Sequence, residues 1–370
     1  MRNKRVVVKV GSSSLTESGG ILSEKKISDL IAQITSLIRQ GFEVILVSSG
    51  AVAAGIGQLG WIPSSITIPE KQAAAAVGQS VLMDTYQKYF QKHHFPVAQL
   101  LLTRLDLEDR KRFIHIRNTI ETLLKKGIVP IVNENDTVAV DEIRVGDNDT
   151  LSSLVAIVSE ANLLVMLTDI DGLYTKDPRK DPYAKKIDEV HVITKEMEKL
   201  AGGAGSIVGT GGMKTKMTAA KMAVKSGMQV VIASSKEPDV LEKIIQGDKV
   251  GTRFYPHGRL PSKKSWLAFS TRVKGRITVD PGAKDALVRL NKSLLMGGVV
   301  SVSGTFLEGA VVEICDPNGR CIGKGVSSFS SADLKLLLER KSRGPGSEKI
   351  HEVIHRDLMV ILKEEEEKVL

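Results

Sequence analysis

Lys9 and Lys216 are the two residues whose types and settings best suit the binding of a phosphate. Lys9 interrupts the apolar run at 6–10, and a lysine buried in a strand is costly unless an anion satisfies it. Lys216 ends the glycine-rich segment 209–216, which begins a predicted helix. Glycines there let backbone N–H groups approach an anion at the positive helix end. Two plainer interpretations stay open: a strand-end lysine that reaches solvent, and a glycine turn without a ligand.

A second polar segment, Gly146-Asp147-Asn148-Asp149-Thr150, precedes another predicted helix. Asn148 or Asp149 is expected to cap that helix whatever else it does. Beyond capping, Asp147 and Asp149 could orient the lysines or lie near a nucleotide-bound Mg²⁺. Asn148 offers both a donor and an acceptor to a polar substrate.

A competing signal is the segment His351-Glu352-Val353-Ile354-His355, which matches the H-E-x-x-H pattern of zinc proteases. That pattern needs a helix that carries both histidines on one face. The run from Val353 onwards favours a strand instead. We therefore predict no metal site here.

The elements that must position these residues alternate between strands and helices over the first 250 or so positions. Apolar runs and periodicity predict strands at 5–10, 43–47, 97–102, 128–132, 163–167 and 229–233. They predict helices at 27–38, 69–90, 110–126, 150–160 and 213–226. This alternation is typical of an α/β fold with a parallel sheet that helices cover on both faces.

Polar residues directly follow five of the predicted strands, at 9–13, 48–50, 133–136, 168–169 and 234–235. The carboxyl ends of parallel strands share one edge of a sheet, and ligands bind at that edge in open α/β sheets. The five segments therefore converge on one predicted cleft.

The pattern changes after about residue 250, where a basic, turn-rich stretch is followed by short strands and one short helix. We predict a ligand-binding domain over 1–256, a basic linker over 257–274, a small, mainly β domain over 275–355 and a C-terminal tail over 356–370. Cys315 and Cys321 flank a Pro317-Asn318-Gly319 turn. With that turn as a hairpin tip, the two cysteines are not expected to face each other, and reduced thiols are predicted.

The composition favours a chain that stays in the cytoplasm. No apolar run approaches the length of a membrane span, and Lys9 interrupts the short apolar stretch near the N-terminus. A net charge of +9 suits anionic partners such as nucleotides, acidic metabolites or nucleic acid. An aromatic content of only 4% argues weakly against a protein that stacks single-stranded bases.

The chain resembles the amino-acid kinase family, and within it the members that act on glutamate. The matching segments span the predicted first domain: VKVGSS at 8–13, VSSGAVAAG at 47–55, VNEND at 132–136, VGDND at 145–149, LTDIDGLY at 167–174 and GTGGMKTK at 209–216. Segments 49–51 and 133–136 distinguish glutamate as substrate, since the phosphate loops are shared with kinases for aspartate, acetylglutamate, carbamate and UMP. The region after Gly275 is similar to a PUA domain.

The resemblance implies a parallel-sheet sandwich that binds ATP with Mg²⁺ and phosphorylates the γ-carboxylate of L-glutamate. Catalysis is assigned to Lys9, Lys216 and Asp149. The residues implied to contact ATP are Lys9, Thr168, Asp169, Thr210, Gly211, Gly212, Met213, Lys214, Thr215 and Lys216. Those implied to hold glutamate are Ser49, Gly50, Ala51, Asn133, Asp136 and Asn148.

The resemblance also implies partners and regulation. L-glutamyl 5-phosphate would pass to glutamate-5-semialdehyde dehydrogenase at the start of proline biosynthesis, with proline as a feedback inhibitor near the glutamate site. A homodimer or homotetramer is implied as well. Two alternatives stay open: a kinase of the same family for another small acid, and an RNA-binding PUA protein. The net positive charge and the basic stretch at 252–264 favour the second alternative.

Overall fold

The computed structural model describes residues 4–17, 20–62, 66–139, 148–176, 178, 181–201, 212–256, 262–269, 271–342 and 351–361. The chain divides into two compact units, Met1–Leu260 and Pro261–Leu370. Every helix in the described ranges is too short or too polar to span a bilayer.

The first unit alternates strands with helices, as the sequence predicts. Its strands are β1 (Lys4–Val10), β2 (Phe42–Ser48), β3 (Val97–Leu102), β4 (Val129–Glu134), β5 (Leu163–Thr168), β6 (Leu173–Tyr174), β7 (Lys186–Ile187), β8 (Glu189–Val190), β9 (Gln229–Ser234) and β10 (Thr252–Phe254). Its helices are α1 (Glu24–Arg39), α2 (Ala51–Leu59), α3 (Ile68–Lys92), α4 (Arg104–Glu108), α5 (Arg110–Lys125), α6 (Asn148–Val158), α7 (Lys195–Ala201), α8 (Met213–Lys225) and α9 (Val240–Gln246).

The main sheet has the order β3-β4-β2-β1-β5-β9-β10-β8. The strands from β3 to β9 run parallel, and β10 lies antiparallel to β9. The parallel α/β fold with helices on both faces is confirmed. Because β1 lies at the centre of the parallel strands, the residues after β4 and β2 fall on one side of Lys9 and those after β5 and β9 on the other.

Alternation along β1 sends its side chains to two different layers. Val6, Val8 and Val10 pack into the apolar core formed with α1, α3 and α9. Lys9 lies on the opposite face, which α6 covers. A lysine in this strand therefore meets the N-terminus of a helix rather than the apolar core.

Arg5 ties the other end of α6 to the same face of β1. Its guanidinium forms ion pairs with Glu43 at 2.7 Å and with Glu121 at 2.8 Å, and it donates a hydrogen bond to the carbonyl of Ser159, just after α6 ends. Helix α6 is thus held at its C-terminal end by Arg5 and at its N-terminal end by Lys9. This double attachment fixes the height of α6 on the sheet.

Helices α2 and α3 are in direct backbone contact through two glycines. A Cβ on Gly55 would lie 1.8 Å from the carbonyl oxygen of Ala74, and a Cβ on Gly78 would lie 1.9 Å from that of Ala51. No side chain fits at such distances. The contact sets the position of α2, which begins directly after the Ser49-Gly50 turn, where Gly50 has a φ of 106°.

The second unit has a five-stranded mixed sheet, in the order β13-β11-β14-β15-β17. Its strands are β11 (Gly275–Val279), β12 (Leu294–Leu295), β13 (Val299–Gly304), β14 (Val311–Cys315), β15 (Cys321–Val326), β16 (Glu352–Ile354) and β17 (Met359–Ile361), and its helices are α10 (Ser262–Phe269), α11 (Pro281–Leu290) and α12 (Ser331–Ser342). Helix α10 lies in the segment predicted as a linker and packs against β15 and β17. Strand β17, which lies in the segment predicted as a tail, pairs with β15.

Two local predictions in this unit have different outcomes. The H-E-x-x-H segment forms strand β16 over Glu352–Ile354, so the two histidines do not share a helix face. The expectation that Cys315 and Cys321 would not face each other is wrong, because they are cross-strand partners of β14 and β15. A register shift between Ile314 and Cys315 brings them opposite. Both thiols are free.

Candidate active site

A buried carboxylate joined to two lysines occupies the carboxyl edge of the main sheet. Asp149, the second residue of α6, lies with Oδ1 2.7 Å from the Nζ of Lys9 and Oδ2 3.3 Å from the Nζ of Lys216. Thr215 donates a hydrogen bond to the same Oδ2 at 2.6 Å. The Asp149 side chain is fully buried, and those of Lys9 and Lys216 are 7% and 8% exposed. The three elements β1, α6 and α8 thus meet at this carboxylate.

Two ammonium groups and one carboxylate are buried together in this cluster. Burial alone would raise the pKa of Asp149, but the neighbouring Lys9 and Lys216 outweigh it and lower that pKa, so the carboxyl group is ionised. Burial lowers the pKa of Lys216, the carboxylates of Asp149 and Asp169 oppose this, and repulsion from Lys9 adds to the lowering. The two ammonium groups share the buried carboxylate of Asp149, whereas Asp169 is exposed. Two ammonium groups held at one point in this way are suited to binding an anion.

The predicted nucleotide residues fall into three groups. Gly212 precedes α8 and Met213, Lys214, Thr215 and Lys216 form its first turn, with Lys214 exposed. Thr168 ends β5, beside Lys9 in the sheet order, and its hydroxyl donates to the exposed Asp169 carboxylate at 3.0 Å. Thr210 and Gly211 lie outside the described residues, as does Asp147, which precedes Asn148 in the sequence.

The predicted glutamate residues gather on the other side of Lys9. Asn133 lies in β4 and Asn148 begins α6, and the Nδ2 of Asn148 donates to the Oδ1 of Asn133 at 3.3 Å. The Ser49-Gly50-Ala51 turn follows β2, and the amide of Ser49 donates to the carbonyl of Val10 at 3.1 Å. Helix α2 therefore starts beside the end of β1.

Asp136, two residues past β4, is a half-buried carboxyl group. Burial raises its pKa to about 6. A carboxylate held in such a setting gains free energy when a cation reaches it, since its charge is poorly solvated without one. A substrate ammonium group is suited to that place.

Three polar residues near the site, Gln79, Tyr86 and Ser14, have no counterpart in the sequence prediction. Gln79 of α3 is buried and accepts a hydrogen bond from the Nδ2 of Asn133 at 2.8 Å. The hydroxyl of Tyr86 lies 2.8 Å from that of Ser48, and Ser14 accepts a hydrogen bond from Ser235 at 2.8 Å; Ser48 and Ser235 belong to the predicted strand-end segments. A polar side chain on the buried stripe Ala75, Gly78, Leu82 of α3 was the available signal for Gln79.

The residues present fit ATP better than they fit a protein-bound metal. The ammonium groups of Lys9 and Lys216 suit phosphate oxygens. A Cβ added to Gly11 would lie 3.8 Å from the Nζ of Lys9, so Gly11 lies directly beside this lysine without crowding it. Both oxygens of Asp149 are already engaged by lysines and Thr215. Mg²⁺ would then be held by phosphate oxygens rather than by this carboxylate.

Comparison with known families gives two matches that together cover most of the chain. Residues 4–234 match the amino acid kinase family, and residues 275–345 match the PUA domain. The first match includes β1, α6 and α8 and thus Lys9, Asp149 and Lys216, the members of the lysine and carboxylate cluster.

Comparison with individual proteins extends the likeness over nearly the whole length. The chain is 47% identical over 369 residues to the glutamate 5-kinase of Citrifermentans bemidjiense, with 97% of this chain and 98% of that protein covered. It is 48% identical over 364 residues to the glutamate 5-kinase of Carboxydothermus hydrogenoformans, with 97% and 98% covered. Carbamate kinase from Giardia lamblia bound to AMP-PNP has a similar fold, with a TM-score of 0.52 at 19% identity over 69% of this chain and 99% of that one.

Proposed function

Because the chain belongs to the amino acid kinase family, and within it to the glutamate 5-kinases, we propose that it transfers the γ-phosphoryl group of ATP to the γ-carboxylate of L-glutamate. It is a phosphotransferase whose acceptor is a carboxyl group. The product is L-glutamyl 5-phosphate. The single observation that carries the proposal is the convergence of the Lys9 and Lys216 ammonium groups on the buried Asp149 carboxylate.

The acceptor determines what the protein must supply. A γ-carboxylate is already ionised at neutral pH, so the attacking oxygen carries no proton and no general base is required. The obstacle is repulsion between two anions that must approach in line. Lys9 and Lys216 reduce this repulsion because their charges are fixed in place before the reaction. When bound, ATP with Mg²⁺ supplies the phosphoryl group and further shielding.

Asp149 has a positioning role in this chemistry. Its pKa is lowered, so it stays ionised and neither donates nor takes a proton at neutral pH. Its two oxygens hold the two ammonium groups on opposite sides of one carboxylate, and Thr215 fixes the carboxylate from α8. The distance between the lysines is thereby set by a group that belongs to neither of their elements.

We assign glutamate to the β2 and β4 side of Lys9 and the nucleotide to the β5 side. The strand order, with β1 between these strands, supports an in-line meeting of the two near Lys9. Ser49, Gly50, Ala51, Asn133, Asp136 and Asn148 form the acceptor side. Asp136 is matched to the α-ammonium group, because glutamate offers no other cation. Thr168, Asp169 and residues 210–216 form the nucleotide side.

The wider role follows the same family. We place the enzyme in the cytoplasm, at the first step of proline biosynthesis, with proline as a feedback inhibitor that binds near the glutamate residues. Acyl phosphates hydrolyse readily, which favours direct use by glutamate-5-semialdehyde dehydrogenase. A homodimer or homotetramer through the first unit is proposed, with RNA binding by the PUA unit as an accessory activity.

The test is trapping of the acyl phosphate. Purified protein is incubated with ATP, Mg²⁺, L-glutamate and hydroxylamine, and we expect glutamyl hydroxamate in amounts that match ADP. L-aspartate and N-acetylglutamate are run in parallel as competing acceptors. Hydroxamate from either of these but none from glutamate would keep the kinase and overturn the named substrate. No hydroxamate from any acceptor would overturn the function.

A further inference from the structure

Four side-chain amides form a continuous hydrogen-bonded chain that leads to the predicted glutamate site. The Nε2 of Gln79 donates to the Oε1 of Gln99 at 3.2 Å. The Nδ2 of Asn133 donates to the Oε1 of Gln79 at 2.8 Å, and the Nδ2 of Asn148 donates to the Oδ1 of Asn133 at 3.3 Å. The chain joins α3, β3, β4 and the first residue of α6.

A backbone group gives this chain its direction. The amide of Glu134 donates to the Oδ1 of Asn133 at 2.8 Å, and a backbone N–H can only donate. The oxygen of the Asn133 side chain must therefore face Glu134, which turns its Nδ2 toward Gln79. Gln79 must then present its oxygen to Asn133 and its nitrogen to Gln99. The orientation of each amide follows from the one before it, which is how such amides are assigned.

The consequence appears at Asn148. Its Nδ2 donates a hydrogen bond to Asn133, so its Oδ1 is the side-chain atom that faces away from Asn133. That oxygen is buried and has no hydrogen-bond partner among the described residues. A buried acceptor without a donor is costly, and ligand sites are where such groups persist.

We propose that Gln79 is a positioning residue of the glutamate site. Gln79 holds Asn133, and Asn133 in turn holds Asn148. In this position the Oδ1 of Asn148 accepts a hydrogen bond from the substrate's α-ammonium group. The inference rests on the proposed function. Both carboxylates of glutamate are acceptors only, and the α-ammonium group is its donor at neutral pH. An acceptor fixed at Asn148 thus selects amino acids over plain dicarboxylic acids.

Gln79 is well placed to act without touching substrate. It is 9% exposed, and it follows Gly78, whose backbone packs against Ala51 at the start of α2. Replacement of its amide by an apolar group removes the acceptor of the Nδ2 of Asn133 and leaves the Glu134 amide to hold that side chain from one side. Asn133, and with it Asn148, would then be held less firmly while α3 keeps its packing.

The experiment compares two ligands that differ in the α-ammonium group. For Gln79→Met, we expect the KM for L-glutamate to rise about 10- to 100-fold, because one charge-assisted hydrogen bond to the substrate is lost. The Ki of glutarate as a competitor of glutamate should stay within about twofold of the wild-type value, as should the KM for ATP, because neither ligand meets Asn148 through an ammonium group. Gln87→Met, at an exposed position of the same helix, is the matched control and should change none of the three.

A second variant tests whether an oxygen acceptor at position 79, rather than the amide as a whole, is what Asn133 requires. Gln79→Glu keeps an oxygen facing Asn133. Its negative charge repels glutarate, which carries two negative charges, more than glutamate, whose α-ammonium group leaves one net negative charge. We therefore expect the ratio of glutarate Ki to glutamate KM to be no lower than about one third of the wild-type value, the size of an ordinary context effect. An equal loss for both ligands in Gln79→Met, an unchanged KM, or a ratio that collapses in Gln79→Glu would each overturn the inference. Absence of glutamyl hydroxamate from the wild-type protein would instead overturn the proposed function itself.

Discussion

Asp149 Oδ1 lies 2.7 Å from Lys9 Nζ, which joins the start of a helix to the end of the central strand. Lys216 reaches the other oxygen of the same carboxylate from a third element. The Asp149 carboxylate separates and orients the two lysine ammonium groups, and each of its oxygens contacts one of them. The arrangement explains how a site can be strongly attractive to anions while every charge in it is fixed before substrate arrives.

The Lys216→Ala substitution tests the contribution of one of these cations. We expect kcat to fall about 100- to 1000-fold, since one preorganised charge that stabilises the transferred group is lost. The KM for glutamate should change little, because we assign Lys216 to the nucleotide side of the site. Steady-state measurement of hydroxamate formation gives both values. Lys225→Ala, in the last turn of the same helix, is the control and should retain wild-type kcat. A loss in Lys225→Ala equal to that in Lys216→Ala would contradict the assignment.

Asp149→Asn should destabilise the folded protein as well as inactivate it. Two buried ammonium groups would lose their shared counter-charge, and removal of one partner from a buried ion pair costs about 3 kcal/mol or more of the free energy of unfolding. The two lysines hold the pKa of Asp149 in the folded protein below its ordinary value of 3.8. Its contribution is therefore present above that value and is lost as the pH falls through the lower, folded pKa.

Urea unfolding at several pH values measures this contribution. We expect a constant difference between wild type and Asp149→Asn from pH 7 to pH 5 and a smaller one below about pH 3.8. A difference that grows on acidification would show that the carboxylate is not stabilised by the lysines.

Asp136→Asn should have the opposite effect on stability. The folded pKa of Asp136 is about 6, above its ordinary value of 3.8, so the folded protein binds this proton more tightly than the unfolded chain does. The free energy of unfolding therefore falls as the pH rises from about 4 to about 6, and the ionised carboxylate destabilises the protein above that window. Allowing for partial solvent screening, the Asn variant should be more stable by about 1 kcal/mol at pH 8.

Thermal melts of the ligand-free proteins check this expectation, and glutamate kinetics give its functional side. The gain in melting temperature should be present at pH 8 and absent near pH 4, whereas the KM for glutamate should rise at least tenfold at pH 8. A variant that melts below wild type at pH 8 would mean that Asp136 has a cationic partner within the protein.

Gly78→Ala tests the backbone contact between α2 and α3. An added Cβ would lie 1.9 Å from the carbonyl oxygen of Ala51, so the helices must separate. We expect a loss of about 2 kcal/mol or more of the free energy of unfolding, as in an overpacked core, and a raised KM for glutamate because α2 carries the Ser49-Gly50 turn. Urea unfolding and hydroxamate kinetics give these two quantities. Ser80→Ala, at an exposed position of α3, should leave both unchanged. Wild-type stability in Gly78→Ala would contradict the close packing.

The sequence predicted those site residues for which a single rule links the residue type to a place in the fold. Lys9 was identified because a charge in an apolar strand needs a partner. Because parallel strands end at the same edge of a sheet, Lys9 was also predicted to lie beside the residues that follow β2, β4 and β5. Its immediate partner is the carboxylate of Asp149, and this pairing was within the predicted options. The role of Thr215 as a donor to Asp149 depends on the approach of α6 to α8, which no local pattern reports.

Features decided by tertiary packing or by one-residue shifts escaped prediction. Gln79 lies in a long helix rich in alanine, and only its hydrogen-bond partners on two other elements, β3 and β4, reveal what its amide does. The facing of Cys315 and Cys321 depends on a register shift of the hairpin, since a slip of one residue changes every cross-strand pair. Strand β17 is three residues long, too short for alternation to identify before its partner β15 is known.

Oxygen labelling tests the central claim, transfer to a carboxylate, most directly. L-glutamate carrying ¹⁸O in both oxygens of its γ-carboxylate is incubated with the enzyme, ATP and Mg²⁺, and the inorganic phosphate released when glutamyl phosphate cyclises is analysed by mass spectrometry. One labelled oxygen should appear in each released phosphate, because the bridging oxygen leaves with phosphorus, and Lys216→Ala should release almost none. Phosphate without label, formed at the same rate with and without glutamate, would show transfer to water and contradict the account.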